Sequence, residues 1–353
     1  MRPALKPGLL PVWRNRDTIQ IGIDPRRAIA LTGMRRAAGL LRLLDGSRDR
    51  VQVLDAARDL GMDPEMTDRV LSLLAAGGAL DDIPASTYDT LSAALRARLA
   101  PELATACLAH GDADGGARTL ARRQAACVRV HGASRAGLWI AALLTSAGIG
   151  LVISAGPARA RPGPNNRQAP PQPPPATEPP AGLPAGAPNP SPLAKPMAGR
   201  SARSADASRP RHRQPSLVIL ADSHGRDLPA ALARDLVPHL AAAANEAIGV
   251  VGPLVLPGRS ACLRCLDLTR AERDPAWPLI LAQLAGHAAT DPAACDAVLA
   301  AMVAAQATAQ ALAFIDRGPA AVAVISGTLE LVLPDWQWRR RTWQPHHQCG
   351  CRS

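Results

Sequence analysis

The chain has 353 residues and a formal net charge of +11, from 40 basic and 29 acidic residues. At about 150 residues per domain, this length allows two or three domains with buried cores that need no disulfide bonds. Six Trp, one Tyr and one Phe are the only aromatic residues, which argues against a nucleic-acid binder that stacks bases on aromatic side chains. Seven cysteines and the lack of an opening signal-peptide pattern predict a cytoplasmic protein.

The amino-terminal part, residues 1–85, has the pattern of a small winged-helix-like module. Residues 11–23 alternate apolar and polar side chains, which predicts a hairpin or two short strands. A helical face follows in 35–44, and 49–81 predicts two helices joined by a turn at Gly61. The apolar residues predicted to line these two helices are Val51, Leu54, Ala57 and Leu60 in the first, and Val70, Leu71, Leu73 and Leu74 in the second.

Two uses of such a module remain open. A winged helix most often reads DNA through its second helix, but Arg69 is the only basic residue in 65–76. Phosphate contacts would therefore be few, so a DNA-binding regulator is the less favoured interpretation. The other use is an exposed sheet edge that accepts an extended peptide as an added strand.

Residues 86–155 and 216–353 predict an α/β domain that resembles a nucleotide-binding fold. A strand from Val128, a glycine turn, a helix and a second strand form a βαβ unit. In its loop, Gly132 and Gly137 flank Ser134, which stands where a second glycine is expected. No acid for a ribose hydroxyl follows the second strand at Ser154, so we expect a Rossmann-like fold that binds no nucleotide.

The apolar stretch 138–155 also allows a membrane span, since about 18 residues is the lower limit for crossing a bilayer. Gly148 and Gly150 divide it, which favours a buried helix followed by a strand. No membrane partner is therefore expected.

Residues 156–215 interrupt the α/β domain and predict a disordered insertion rich in Pro and Arg. They hold 17 of the 34 prolines and almost no large apolar side chain, so they cannot bury enough surface to fold. Nine basic and two acidic residues give this segment +7 of the total charge. The remaining chain is nearly neutral, and we expect no nucleic-acid partner.

Two close pairs of cysteines predict a metal centre. Cys262 and Cys265 form a C-x-x-C pair after a Pro-Gly turn, and Cys349 and Cys351 lie near the carboxyl terminus. Two such pairs can complete a tetrahedral zinc site, which with four thiolates would be structural rather than catalytic. A redox-active C-x-x-C pair and incidental thiols are the alternatives.

The sequence contains other potential ligands, which are less favoured. His346 and His347 are alternative ligands that would more often be solvated residues of the tail. The remaining cysteines, Cys107, Cys127 and Cys295, lie in apolar or helical contexts typical of core residues.

The run GVVGPLVLPGRSACLRCLDLTRAERDPAWPLILAQL at 249–284, together with the terminal HHQCGC, resembles a known family. It is similar to the ThiF-like "C proteins" of thiazole/oxazole-modified microcin biosynthesis. These proteins bind the leader of a ribosomal precursor peptide and work with YcaO cyclodehydratases. The resemblance implies an amino-terminal winged-helix module, a central degenerate ThiF-like domain related to ubiquitin-activating enzymes, and a carboxyl-terminal zinc-binding part.

The resemblance also implies roles for individual residues. The implied zinc ligands are Cys262, Cys265, Cys349 and Cys351. The implied peptide-binding edge lies around 12–23, with helix 65–76 as its floor, and its residues are Val12, Trp13, Ile19, Ile21 and Ile23. ATP chemistry would belong to the YcaO partner, because only Asp222 matches a functional acid of adenylating relatives and no lysine lies between Lys6 and Lys195.

Taken together, these observations predict a non-catalytic, zinc-stabilised scaffold that presents a precursor peptide to a YcaO-type cyclodehydratase. It would be an accessory subunit with structural zinc and without ATP, and the sequence also allows a homodimer. The alternative is an active ThiF-like enzyme that adenylates a carboxylate or the terminus of a sulfur carrier. A winged-helix DNA-binding regulator is the third interpretation.

Overall fold

The computed structural model describes residues 1–35, 38–83, 91–154, 214–221, 225–286 and 295–351. All of these belong to one compact unit, formed by Met1–Gly156 and Gln214–Ser353. The predicted insertion at 156–215 lies outside the described residues except for its last two positions, and Asp222 lies outside them as well.

Twelve strands and ten α-helices are found in the described residues. In chain order they are β1 (Pro3–Leu5), β2 (Pro11–Trp13), β3 (Ile19–Ile21), β4 (Ile29–Leu31), α1 (Leu40–Leu43), α2 (Arg50–Asp59), α3 (Pro64–Ala76), β5 (Leu80–Asp82), α4 (Ala93–His110), α5 (Ala117–Ala125), β6 (Cys127–His131), α6 (Arg135–Ser146), β7 (Leu151–Ser154), β8 (Leu217–Ala221), α7 (Asp227–Arg234), β9 (His239–Asn245), β10 (Ile248–Val255), α8 (Leu263–Arg273), α9 (Trp277–Gly286), α10 (Ala297–Arg317), β11 (Gly327–Val332) and β12 (Gln337–Thr342).

A seven-stranded mixed sheet forms the centre of the α/β part, in the order β12-β11-β10-β9-β8-β6-β7. Strands β7, β6, β8 and β9 run parallel, whereas β9 to β12 pair as antiparallel neighbours. The predicted α/β class is confirmed. The predicted βαβ unit is also confirmed, because β6 and β7 are parallel neighbours joined through α6.

The core of this part lies between the sheet and α10. Leu299, Val303, Ala307 and Ala311 recur every four residues along that helix and are fully buried, as expected for one face of an α-helix. Among the described residues, α10 is the one helix long and apolar enough to cross a membrane. Its packing against the sheet core accounts for the same apolarity without a bilayer.

The front part contains a two-stranded sheet, β1-β5, and a three-stranded antiparallel sheet in the order β2-β3-β4. The two predicted helices are confirmed as α2 and α3, with a left-handed Gly61 (φ 76°) between them. Each begins at an aspartate: Asp49 caps α2 in a capping box, and Asp63 accepts a hydrogen bond from the Met66 N–H. These caps satisfy N–H groups that an α-helix leaves unpaired at its start.

Some details predicted for this part were wrong. Val51, Leu60 and Leu73 are 65%, 51% and 49% exposed, whereas Val53 and Ala57 form the buried face of α2. The predicted helix at 35–44 is reduced to α1, of four residues. Strands β1, β4 and β5, of three residues each, were not predicted.

Gly150 provides a test of this packing, because the chain between α6 and β7 passes very close to α5. A Cβ atom at Gly150 would lie 2.0 Å from the backbone oxygen of Gln124. We expect Gly150→Ala to lower the free energy of unfolding by about 1–3 kcal/mol in urea denaturation, because backbone must shift to relieve the overlap. Gly225→Ala is the matched control, since no described atom lies within 4 Å of its Cβ position. Equal stability of the two variants would contradict this packing.

Candidate metal centre

The first cysteine pair lies where β10 leads into α8. The chain turns after Val255, and the Leu256 carbonyl accepts hydrogen bonds from the N–H groups of Arg259 and Ser260. Cys262 then occupies the N-cap position of α8, and Cys265 lies in its first turn. A helix amino terminus is a favourable place for thiolates, because its free N–H groups and dipole stabilise negative charge.

The β11-β12 hairpin returns the end of the chain to this place. The Trp343 N–H donates to the Ser326 carbonyl, and the Trp343 side chain is buried beside the cysteines. The following turn closes through the Cys349 N–H, which donates to the His346 carbonyl at 3.0 Å. Gly350 has a φ of 68°, a left-handed conformation that glycine adopts without strain.

The four sulfur atoms therefore converge. Cys262 Sγ lies 3.7 Å from Cys265 Sγ and 3.4 Å from Cys349 Sγ, and Cys265 Sγ lies 3.4 Å from Cys351 Sγ. All four sulfurs lie within 4.8 Å of one another and could hold a metal ion. Zn–S bonds of about 2.3 Å place the sulfurs of tetrahedral zinc roughly 3.8 Å apart, so the arrangement fits zinc with small adjustments.

Burial makes two of these thiols, Cys349 and Cys351, hard to ionise unless a cation is bound. Burial raises the pKa of Cys351 to about 11, and it raises the pKa of Cys349 as well. At Cys265 burial acts in the same direction, but hydrogen bonds from the backbone of His346 and Cys262 and from the neighbouring thiols together outweigh it and lower the pKa. Four clustered thiolates repel one another, and a divalent ion would supply the charge that lets them all ionise.

A stack of arginine and tryptophan side chains fastens α8 to the hairpin. The Arg270 guanidinium lies 5.0 Å from the Trp277 ring and 5.2 Å from the Trp343 ring, which is cation–π distance. The Trp343 Nε1–H donates to Thr328 Oγ1 in β11 at 3.0 Å. On the α8 side, Asp267 accepts two hydrogen bonds from Arg226, which directly precedes α7. Sequence reasoning missed this stack because Trp343 lies more than 60 positions after Arg270 and Trp277.

The two histidines of the tail lie outside the four-sulfur group. His346 Nε2 is 2.8 Å from Glu272 Oε1, and its ring stacks on that of His347 with 4.5 Å between centroids. The His346 side chain is only 5% exposed, which differs from the solvated tail residue that we expected. Neither histidine replaces a cysteine ligand in this arrangement.

The other three cysteines do not join the centre. Cys107 and Cys127 are each 1% exposed, which confirms the prediction that they are core residues. Cys295 is half-buried against the core of the α/β part. Within the described parts of the chain, the sulfur cluster therefore comprises only the predicted cysteines.

At the degenerate glycine loop, Ser134 serves as the N-cap of α6. Its hydroxyl oxygen accepts a hydrogen bond from the Gly137 N–H at 3.1 Å, one of the donors that a phosphate would otherwise take. A Cβ at Gly137 would lie 2.9 Å from the Gly132 carbonyl oxygen and 3.1 Å from Ala221 Cβ. Close packing of α6 on the sheet therefore accounts for this glycine.

The five residues of the predicted peptide edge separate into two groups. Ile19 and Ile21 lie on the central strand β3, paired on both sides, and are 3% or less exposed. They form the core of the front part and cannot line a free edge, which corrects the sequence-based prediction. Val12, Trp13 and Ile23 are exposed.

The helix predicted as the floor of this surface lies beside β4. Two glycines show how closely the helix approaches this strand. A Cβ atom added at Gly77, just after α3, would lie 2.3 Å from Ile29 Cδ1 in β4. A Cβ atom added at Gly33, just after β4, would lie 3.1 Å from Met66 Cε in α3. In the described part of the chain no strand pairs with the outer edge of β4. Leu73, one helical turn before Gly77 on α3, is exposed.

No family model and no curated protein matches the sequence. Solved structures do match the fold. The heterocyclase TruD superposes with a TM-score of 0.59 at 16% identity, over 99% of this chain and 42% of TruD. A heterocyclase in complex with substrate and cofactor gives 0.58 at 13% identity, over 97% of this chain and 38% of its own.

Escherichia coli MccB crystallised with ATP also matches, with a TM-score of 0.57 at 11% identity and full coverage of both chains. The chain thus spans about two fifths of the two heterocyclases, but the whole length of MccB. At these identities the likeness establishes a shared α/β fold.

Proposed function

We propose that this protein is a non-catalytic, zinc-stabilised scaffold that binds the leader of a ribosomal precursor peptide and presents it to a YcaO-type cyclodehydratase. The observation that carries the proposal is the likeness of nearly the whole chain to two fifths of the heterocyclases. A separate protein would supply the part of a heterocyclase that this chain does not cover. Azoline formation and its ATP chemistry would take place on that partner.

In this proposal, residues 1–85 form a winged-helix-like module that recognises the precursor. The free edge of β4 offers backbone N–H and C=O groups to an extended peptide, and α3 lies alongside it. A peptide added as a fourth strand would gain main-chain hydrogen bonds from β4 and an apolar contact from Leu73. The exposed Val12 and Trp13 mark β2 as the other free edge of the same sheet.

The remaining parts would have supporting roles. Residues 86–155 and 216–353 would form a ThiF-like domain, with 156–215 as an insertion. Cys262, Cys265, Cys349 and Cys351 would hold a structural zinc ion, because four thiolates leave no coordination position for a reacting water. This ion would fix the end of the chain against α8.

The alternative is an active ThiF-like adenylating enzyme, favoured by the full-length match to MccB, which was crystallised with ATP. Measurement of ATP–pyrophosphate exchange separates the two. The scaffold should give no exchange above background, with or without precursor peptide, because Ser134 caps the α6 terminus and no lysine lies near the loop in sequence. Precursor-dependent exchange would establish the alternative.

Leu73→Gln tests the proposed peptide surface. Leu73 is 49% exposed, so the substitution should hardly change stability while removing an apolar contact beside β4. We expect at least a tenfold loss of affinity for a fluorescein-labelled leader peptide in an anisotropy titration, which corresponds to roughly 1.4 kcal/mol. The matched control is Val51→Gln, an exposed apolar residue on α2, which should bind like the wild type. Unchanged binding by Leu73→Gln would exclude the β4 edge.

A further inference from the structure

We propose that Glu272, His346 and His347 form a second metal site, which binds an exchangeable divalent ion such as Zn²⁺, Co²⁺ or Ni²⁺. One carboxylate oxygen and two imidazole nitrogens lie within 4.8 Å of one another. Imidazole suits these transition metals, and a carboxylate commonly completes such a ligand set. This inference is independent of the proposed role in peptide binding.

The fold brings the three side chains together at the surface. Glu272 lies in the last turn of α8, and the histidines lie in the tail after β12. His346 is held in place, because Nε2 is 2.8 Å from Glu272 Oε1 and its carbonyl accepts from the Cys349 N–H. The second site therefore shares one turn of chain with the four-cysteine centre.

Binding requires a modest rearrangement of side chains. Ligand distances of about 2.0–2.1 Å place two nitrogen or oxygen ligands of tetrahedral zinc roughly 3.3 Å apart. The Glu272 side chain is 56% exposed and His347 is exposed, so both can rotate toward the ion. The ion would bind His346 Nε2, and the proton of that nitrogen would move to Nδ1. Nδ1 could then no longer accept the hydrogen bond that the Gln348 N–H donates to it at 3.2 Å.

The two centres should hold their ions differently. The four cysteines are mostly buried and form a closed set of soft ligands. The second site has three harder ligands, of which Glu272 and His347 are exposed, which leaves coordination positions open to water or to a chelator. We expect one tightly held ion and one ion that exchanges readily.

Metal titration of the full chain tests this inference. Protein purified with its tight ion is treated briefly with EDTA, desalted, equilibrated with excess Zn²⁺ or Co²⁺ and analysed for metal after gel filtration. The wild type should gain one equivalent that a second EDTA treatment removes. His347→Ala and Glu272→Gln should lose this labile equivalent and keep the tight ion, whereas Glu246→Gln, an exposed acid elsewhere, should behave like the wild type.

Two results would overturn the second site. One is a wild type that takes up no labile equivalent, or variants that take it up unchanged. The other is loss of the tight ion in His347→Ala or Glu272→Gln, which would place these residues in one common centre. In protein produced with Co²⁺ as its tight ion, sulfur-to-cobalt charge-transfer absorption reports the four-cysteine centre separately, and it should be the same in wild type and variants.

Discussion

Cys265→Ser should abolish tight metal binding and unfold much of the carboxyl-terminal part of the chain. Cys265 is fully buried and its sulfur lies within 3.7 Å of Cys262 Sγ and within 3.4 Å of Cys351 Sγ, so a hydroxyl there would break the ligand set. Structural zinc contributes on the order of 10 kcal/mol to folding, comparable with the 5–15 kcal/mol stability of a typical domain. Metal analysis and thermal unfolding followed by tryptophan fluorescence would measure both effects.

Cys295→Ser is the matched control, because this thiol is half-buried and lies outside the sulfur cluster. It should keep the metal and the wild-type unfolding midpoint. A Cys265→Ser protein that retains one tightly bound ion and unfolds like the wild type would contradict a structural role of the four cysteines.

Lys6→Met is expected to destabilise the protein by about 3–5 kcal/mol, because it leaves a buried carboxylate without its counter-charge. Lys6 and Asp81 are 2% and 0% exposed, and Lys6 Nζ lies 3.5 Å from Asp81 Oδ1. The ammonium also donates to the carbonyls of Asp112 at 2.9 Å and Cys107 at 3.2 Å. Urea denaturation of the variant would measure the loss.

The pH dependence of this loss follows from the carboxyl group. Burial raises the pKa of Asp81, and Lys6 acts against that rise, so removal of Lys6 should raise the pKa further. At pH values between the pKa of Asp81 in the unfolded state and its higher pKa in the folded state, the folded protein keeps the Asp81 proton that the unfolded chain has released. The penalty relative to the wild type should therefore be smallest in acid, where Asp81 is protonated in both proteins, and grow as the pH rises above the raised pKa of Asp81 in the folded wild type.

Two further variants keep this prediction testable. Lys6→Met combined with Asp81→Leu should recover most of the stability, because apolar replacement of both partners of a buried ion pair is nearly neutral. Arg26→Met removes one partner of the exposed pair with Asp24 and should have no measurable effect. Equal stability of Lys6→Met and Arg26→Met would contradict the importance of the buried pair.

The parts of the fold that follow from local pattern were predictable from the sequence. The β6-α6-β7 unit has a continuous apolar strand, a glycine turn and an apolar helix, and each is recognisable over a few residues. The aspartates that cap α2 and α3 and the turn at Gly61 mark those helices equally clearly. The spacing of the two cysteine pairs predicted the cluster, because few structures other than a metal centre require both.

The parts that depend on tertiary contacts were not predictable. Ile19 and Ile21 belong to an alternating strand, and alternation cannot tell whether that strand is central or at an edge. The stacking of Arg270 between two tryptophans and the pairing of Glu272 with His346 depend on how the β11-β12 hairpin returns to α8. The buried Lys6 likewise obtains its partners from distant segments.

The most direct test of the scaffold proposal is an anisotropy titration of the metal-loaded full chain against candidate precursor peptides, which are the short peptides encoded near its gene. Each precursor would be divided into a labelled amino-terminal half and a labelled carboxyl-terminal half. Saturable binding of an amino-terminal half, without ATP and without binding of the matching carboxyl-terminal half, is the expected result. Absence of saturable binding to every amino-terminal half would contradict the proposal.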